Sequence, residues 1–449
     1  MSISDHLHSE GDLNLSPRRA AWSAEHIGAE TRVHLDADST VFLHQSLSTP
    51  CLNAIEGAEG IYLIDTEGRR IMDFHGNGLH QVGHGNPEVI AAVKSQLDTL
   101  PFCPRRYTNG PAIGLAQKLT SLAPGDLNRV LFAPGGTAAI GMALKLARMA
   151  TGRHKTISMW DAFHGASLDA ISIGGEAIFR KDAGPLLPGT EHVPPPDPTG
   201  CPFRCGRECT LQCADYIEYV LEKEGDVAAV IAETVRSAPF IPPRDYWHKV
   251  RAACDRHGAL LILDEIPTCL GRTGYMFPHE HYGIVPDMVV IGKGLGGGVM
   301  PLAALIAREH LNAAMPDRAL GHYTHEKNPV ACAAALATIA QIESRGLLDH
   351  SRELGAYAVD QLREMQERLP IVGDVRGLGL LIGVELLDPA TGARAVDAAE
   401  QVLYGCLRRD LSFKVSMGNM LTLMPPLTIS WAEMDRALGI LEASIEAVL

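Results

Sequence analysis

A succession of short apolar runs, each closed by glycine, an acid or an aromatic residue, constrains this chain more than any other feature. RVLFAPGG, KTISMW, VAAVIAE, ALLILDE and MVVIGKG follow one another between Arg129 and Gly294. Segments with helical periodicity, such as NPEVIAAVKSQLDTL and GTAAIGMALKLARMA, precede or separate them. Apolar runs of this length without polar alternation are strands covered on both faces, which is the signature of a mostly parallel sheet flanked by helices. The fold class expected is α/β.

At 449 residues the chain exceeds one simple core, so two or more packed domains are expected. The sequence is divided here into an N-terminal arm with part of a smaller domain (1–75), a large domain (76–330) and a C-terminal smaller domain of mixed helix and strand (331–449). Between Ser167 and Gly225 the alternation lapses into Gly- and Pro-rich sequence, read as an ordered excursion over the surface. A net charge of -14 argues against nucleic acid and anionic membranes as partners. The opening MSISDHLHSE has no apolar core of a leader and LGGGVMPLAALIA is too short and Gly-rich to span a bilayer, so a cytoplasmic enzyme is expected. Cys201, Cys205, Cys209 and Cys213 recur every fourth residue in CPFRCGRECTLQC. Structural zinc favours tighter pairs, so these are read as reduced thiols in a loop and no metal is assigned.

The run ALLILDE ends on two carboxylates at the point where a strand leaves the core. A buried carboxylate costs several kcal/mol unless something pairs with it, so Asp264 requires a partner. The cation at an equivalent strand end is Lys293, in MVVIGKGLGGG. Lys293 is either a structural ion-pair lysine or an imine former whose amine is made neutral by burial. A nucleotide hydrolase would need G-x-x-x-x-G-K-[ST], and Asp287 and Gly294 break that pattern around Lys293. The G-x-G-x-x-G match at Gly292, Gly294 and Gly297 leads into another apolar run after Pro301, not into a helix. In RVLFAPGGTAAIGMALKLAR a strand ends at Gly135, Gly136 and Thr137 and a helix starts, which makes either an anion cup or an ordinary turn capped by Thr137. A cup, a strand-end acid and a strand-end amine are together what pyridoxal 5'-phosphate demands.

From residue 60 onward the sequence resembles the class III aminotransferases of fold type I. The likeness is carried by GHGNP, PGGT, FHG, DEIPTCLGRTG, IGKGLGGG, THEKNP, RGLGLLIGVE and MPPLTIS. It implies a mostly parallel seven-stranded sheet in the large domain and pyridoxal phosphate as cofactor. Lys293 would form the imine and move the proton, and Asp264 would hold the ring nitrogen protonated. Phe163 and Ile266 would cover the two ring faces, Gly135, Gly136 and Thr137 would bind phosphate, and Glu233 would lie near cofactor and substrate. Thr324 would complete the phosphate site of a neighbouring subunit in a homodimer, and Arg376 would be structural. The implied activity is transfer of an amino group from a small-molecule amine to an oxo acid.

The sequence departs from the family pattern at three places. Pro267 stands where a glutamine is usual, Ala138 where PGGT is usually followed by glutamate, and Thr422 where many members carry an arginine that clamps a substrate carboxylate. Together with HYTHEKNP these departures resemble the branch containing ammonia-lyases of 2-amino-1-hydroxyethylphosphonate, which is the alternative activity. Arg236, Arg105 and Arg106 are candidate anion receivers, and Thr422 remains a candidate substrate contact. A non-enzymatic binding protein is the third reading, disfavoured because Lys293, Asp264 and Thr137 are all present.

Overall fold

In the computed structural model the described residues are 16–46, 48–197, 200–205, 209–314 and 316–449. They divide into two compact units, one taking the chain up to Asn86 and again from Gly346 to Leu449, the other Pro87–Arg345.

The second unit is built on one sheet of seven strands: β1 (Leu127–Ala133), β2 (Lys155–Met159), β3 (Thr190–Val193), β4 (Val227–Glu233), β5 (Leu260–Asp264), β6 (Met288–Ile291) and β7 (Ala303–Arg308). Their order is β1-β7-β6-β5-β4-β2-β3. Only β7 runs against its neighbours, and the pairs from β6 through β5, β4 and β2 to β3 are parallel. The α/β expectation holds, and the apolar runs behave as covered strands, since β6 is buried throughout and β4 everywhere but Glu233. Helix α1 (Gly136–Thr151) lays Ile140, Met142, Ala143 and Ala147 onto the sheet core beside Ile262, Val290 and Leu305. It stops at Gly152, whose φ of 68° suits glycine and whose N–H returns to the Arg148 carbonyl.

Three features differ from expectation. The excursion after Ser167 contains a sheet strand, β3, whose sequence TEHV buries only Val193 on the sheet edge and so carries no apolar run. The boundaries fall after Asn86 and Arg345 because the helix Pro329–Ser344 packs on the helices Pro87–Thr99 and Gly110–Leu122 of the second unit. Of the N-terminal arm, the first fifteen residues lie outside the described set, and Pro17–His26 and Ala29–Val41 are helices. The former docks on the first unit through buried Trp22, which meets Tyr404, and through Arg18, which pairs with Asp397 at 2.8 Å.

The first unit holds two small sheets. In one, Ile55–Glu59, Tyr62–Asp65 and Arg70–Asp73 run antiparallel, with Leu411–Ser412 parallel to the third. In the other, β8 (Val372–Leu378), β9 (Leu381–Leu386), β10 (Lys414–Ser416) and β11 (Met420–Leu423) pair in the order β8-β9-β11-β10. Arg376 on β8 is buried between Asp374, at 2.8 Å, and Glu385. Among the described residues no helix is long and apolar enough to cross a membrane.

Asp73 closes the third strand of the first sheet and organises the loop that follows. Its Oδ1 accepts from the N–H groups of His75 and Gly76, each at 2.9 Å, and its Oδ2 pairs with His84 Nε2 at 2.9 Å. Burial alone would raise its pKa, but the bond to His84, the nearby His80 and the two backbone donors outweigh it and hold the carboxyl well below the usual range. A folded pKa below the unfolded one stabilises the fold above the unfolded value, and that contribution is lost as pH falls. Asp73→Asn should therefore cost about 1.5–3 kcal/mol near neutral pH. In urea unfolding at several pH values the gap to the unsubstituted chain should narrow below about pH 4; a gap that stays constant there would contradict the assignment.

Candidate functional site

The ends of β4, β5 and β6 lie side by side because Asp264 registers with Glu233 on one flank and with Val290 on the other. The acidic pair that closes β5 is split between two partners. Asp264 Oδ2 accepts from His164 Nδ1–H at 2.8 Å, and its Oδ1 accepts from the Ile266 N–H at 3.1 Å. Glu265 Oε1 instead takes the Thr234 hydroxyl at 2.6 Å and, from His279, the N–H at 2.8 Å and Nδ1 at 3.0 Å. His164 is thus a direct partner of Asp264. Both members of that pair are sealed from solvent, at 1% and 2% exposure, which makes a charge-assisted bond obligatory there.

Lys293 starts a short 3-10 turn just beyond β6, with φ at +46°, a region in which a residue with a Cβ is strained. Gly292 and Gly294 on either side are buried, while Lys293 itself is exposed. The burial expected for its amine is therefore confined to the neighbouring backbone. Ile266 ties this turn to the Gly136 turn: a Cβ on Gly136 would stand 2.7 Å from Ile266 Cδ1, and one on Gly292 would stand 3.3 Å from its Cγ2.

Gly135 caps α1 without any side-chain bond, and the space where its Cβ would stand is open to 4 Å. Four N–H groups at a helix start lack intrahelical partners, so this opening is suited to an anion. Thr137 on the first turn is held against the FHG segment, since a Cβ on Gly165 would meet Thr137 Oγ1 at 2.2 Å. Phe163 is exposed on one side, packs on Phe179 at 4.7 Å, and donates its N–H to Glu233 Oε1 at 3.4 Å. Gly135, Gly136, Thr137, Phe163, Glu233, Asp264, Ile266 and Lys293 all belong to the second unit, at strand ends or the turns beyond them.

Other candidates stand elsewhere. Thr324 is exposed in the turn before the helix Pro329–Ser344, and Arg105 and Arg106 are also exposed. Arg236 is buried, with Glu176 at 3.4 Å, Glu233 at 3.9 Å and the Asp161 carbonyl as partners, so its charge is already matched within the protein. Thr422 lies on β11 of the first unit, fully buried, with its hydroxyl 3.1 Å from Ser416 Oγ. Residues that pattern reading passed over are His164, Glu176 and the Glu265–His279 pair. The only hint of His164 was its place inside FHG, because no spacing rule links positions a hundred residues apart.

The sequence profile for aminotransferase class-III matches residues 44–445. This chain belongs to the class III aminotransferase family. It is 50% identical to the (R)-1-hydroxy-2-aminoethylphosphonate ammonia-lyase of Vibrio splendidus, over 99% of this chain and 96% of that protein. It is 37% identical to the putrescine aminotransferase of Pectobacterium atrosepticum, over 84% and 78%. Among solved structures, an amine transaminase from an uncultivated Pseudomonas species in its PLP-bound form superposes with a TM-score of 0.82 at 31% identity, covering 91% of this chain and 98% of that one. Class III membership makes the seven-stranded unit the fold type I sheet and the chain an enzyme.

The contact between FHG and PGGT gives a stability test of this class III site. Gly165 has φ +125° as well as the close approach to Thr137. Gly165→Ala should cost about 1–3 kcal/mol in urea unfolding, and adding Thr137→Ala should recover only part of that because the backbone angle remains. Unchanged stability in the single variant would show that the two segments do not meet as described.

Proposed function

We propose that this enzyme is a pyridoxal phosphate-dependent ammonia-lyase whose substrate is an amino alcohol phosphonate of the 2-amino-1-hydroxyethylphosphonate kind. The observation that carries the reading is Thr422. Where the family resemblance expects a carboxylate-clamping arginine, this chain has a buried hydroxyl spent on Ser416. A transaminase binds an oxo acid in each cycle, commonly through bidentate arginine, whereas an elimination needs no second carbon substrate. The 50% identity to an ammonia-lyase across nearly the whole of both chains supports the same conclusion.

The residues present fit the cofactor. The open, uncapped start of α1 offers main-chain donors to a phosphate, Asp264 offers a buried carboxylate to a protonated ring nitrogen, and Lys293 offers an amine to a carbonyl. When bound, pyridoxal phosphate supplies an electron sink for the carbon that bears the substrate amine. Asp264, its two oxygens fixed by His164 and the Ile266 N–H, would hold the proton at the ring nitrogen. Lys293 takes the proton from the amine-bearing carbon and returns it to the hydroxyl leaving the adjacent carbon, so one water departs. Water then replaces nitrogen, and the products are an aldehyde that keeps its phosphonate and ammonia. Phe163 and Ile266 would cover the ring, and Gly136 with Thr137 would hold the phosphate. The same reading takes the protein as a homodimer in which exposed Thr324 serves the neighbouring subunit's phosphate site.

Transfer of the amino group is the second reading, favoured by the putrescine aminotransferase relative. Incubation with (R)-2-amino-1-hydroxyethylphosphonate and no oxo acid separates the two. Ammonia and aldehyde in equal amounts are expected; product that forms only after pyruvate or 2-oxoglutarate is added would establish transfer instead. Asp264→Asn should lower the rate at least about a hundred-fold in a chain that still folds, with a loss of about 1.5–3 kcal/mol in urea unfolding from the weakened bond to His164. Borohydride should attach the cofactor to Lys293 and to no other residue, and Lys293→Ala should bind cofactor without turnover.

A further inference from the structure

The cysteine run that the amine chemistry leaves unused folds back on itself. Cys201 opens a turn closed by the Arg204 N–H, which donates to the Cys201 carbonyl at 3.0 Å, with Arg204 in the left-handed region at φ 55°. The turn returns Cys205 Sγ to 3.8 Å from Cys201 Sγ. Both sulfurs are half-buried, so a small reagent reaches them. Cys205 Sγ also stands 3.2 Å from Thr210 Oγ1. Hydrogen bonds from the Thr210 hydroxyl and backbone pull the Cys205 thiol down to about 7, which makes it a substantial thiolate at neutral pH. Burial, with Cys209 and Cys201 nearby, pushes Cys213 the other way, up to about 12. The sulfurs therefore gather as a pair and not as a tetrahedron. Among the described residues, the one set of three potential ligands whose atoms fall within 4.8 Å of one another is Asp73, His80 and His84.

We infer that Cys201 and Cys205 form a reversible dithiol–disulfide pair oxidised by a low-molecular-weight disulfide of the oxidised-glutathione class. The Cys205 thiolate attacks one sulfur of the reagent, the reagent's S–S bond breaks, and the first glutathione thiolate leaves and takes up a proton. Cys201 gives up its proton and attacks the Cys205 sulfur, and the second glutathione thiolate leaves. Two electrons pass from the two cysteines to the reagent, which departs as two thiols. Reversible pairs of this kind are the form in which disulfides occur in reducing compartments.

The test is to treat the whole protein with oxidised glutathione at neutral pH, quench in acid and map the cysteines by mass spectrometry. The expected product is a Cys201–Cys205 link, lighter by two hydrogens and reversed by dithiothreitol, forming several-fold faster than any adduct on exposed Cys51, whose thiol burial and Asp38 push upward. Cys201→Ser should stop at a glutathione adduct on Cys205, and Cys205→Ser should give no fast adduct in this segment. A Cys205–Cys209 link, or an adduct that persists on Cys205 in the unsubstituted chain, would overturn the proposal. So would one equivalent of zinc released when the four cysteines are alkylated, which would make them a metal site.

Discussion

The bond between Asp264 and His164 is the constraint on which the second unit's active end depends. A carboxylate at 1% exposure cannot remain charged without donors, and here it has two, one from a side chain a hundred residues earlier and one from its own following turn. Because His164 is itself sealed, the pair forms only if the segment after β2 crosses over the end of β5. That crossing follows from the parallel order β6-β5-β4-β2, which brings the outgoing ends of these strands to one edge of the sheet. The strand ends and the turns beyond them then carry Phe163, His164, Glu233, Asp264 and Lys293 as a direct result of topology.

Close backbone approach does the rest. Gly136 accepts Ile266 and Gly165 accepts Thr137 at distances that no Cβ would permit, and Gly292 accepts Ile266 at one that a Cβ would meet only if Ile266 gave way. Lys293 is held at positive φ between buried glycines, a strain of about 1–3 kcal/mol for a residue of its type. The covered strands behind it, with β6 buried at every position, supply the burial that offsets such a cost. Strain at Lys293, on a rigid strand end, fixes the starting point of a long flexible side chain.

What was legible in the sequence was what depends on local pattern. Covered strands need continuous apolar runs, so β1, β2, β4, β5 and β6 were visible as words, and the turns beyond them as PGGT, DE and GK. Edge strand β3 was not, because TEHV buries one residue and looks like loop. Pairings were not legible either: a histidine in FHG bonds Asp264, and nothing in the local pattern marks it as that partner. Arg236 looked like a spare cation because its charge is visible in sequence while Glu176, sixty residues away, is not marked as its partner. The domain limits slipped because the helix Pro329–Ser344 follows a loop, yet its apolar surface belongs to the helices before β1.

The division between elimination and transfer is set away from the Lys293 end. Under the proposed function both reactions would begin with loss of the same proton and would use the same Asp264 to keep the ring nitrogen charged, so neither Lys293 nor Asp264 would discriminate. What discriminates is whether the protein stabilises a second anion. A bidentate arginine contact contributes about 1.5–3 kcal/mol per charged hydrogen bond, enough to decide whether an oxo acid is held for the return half of a transfer cycle. At Thr422 that contribution is absent and the hydroxyl is turned inward to Ser416. Arg236 does not replace it, since Glu176, Glu233 and the Asp161 carbonyl already partner its guanidinium. Under the proposed function, a site that activates the amine-bearing carbon without this hold on an acceptor would leave the activated carbon one low-cost exit, expulsion of a group on its neighbour.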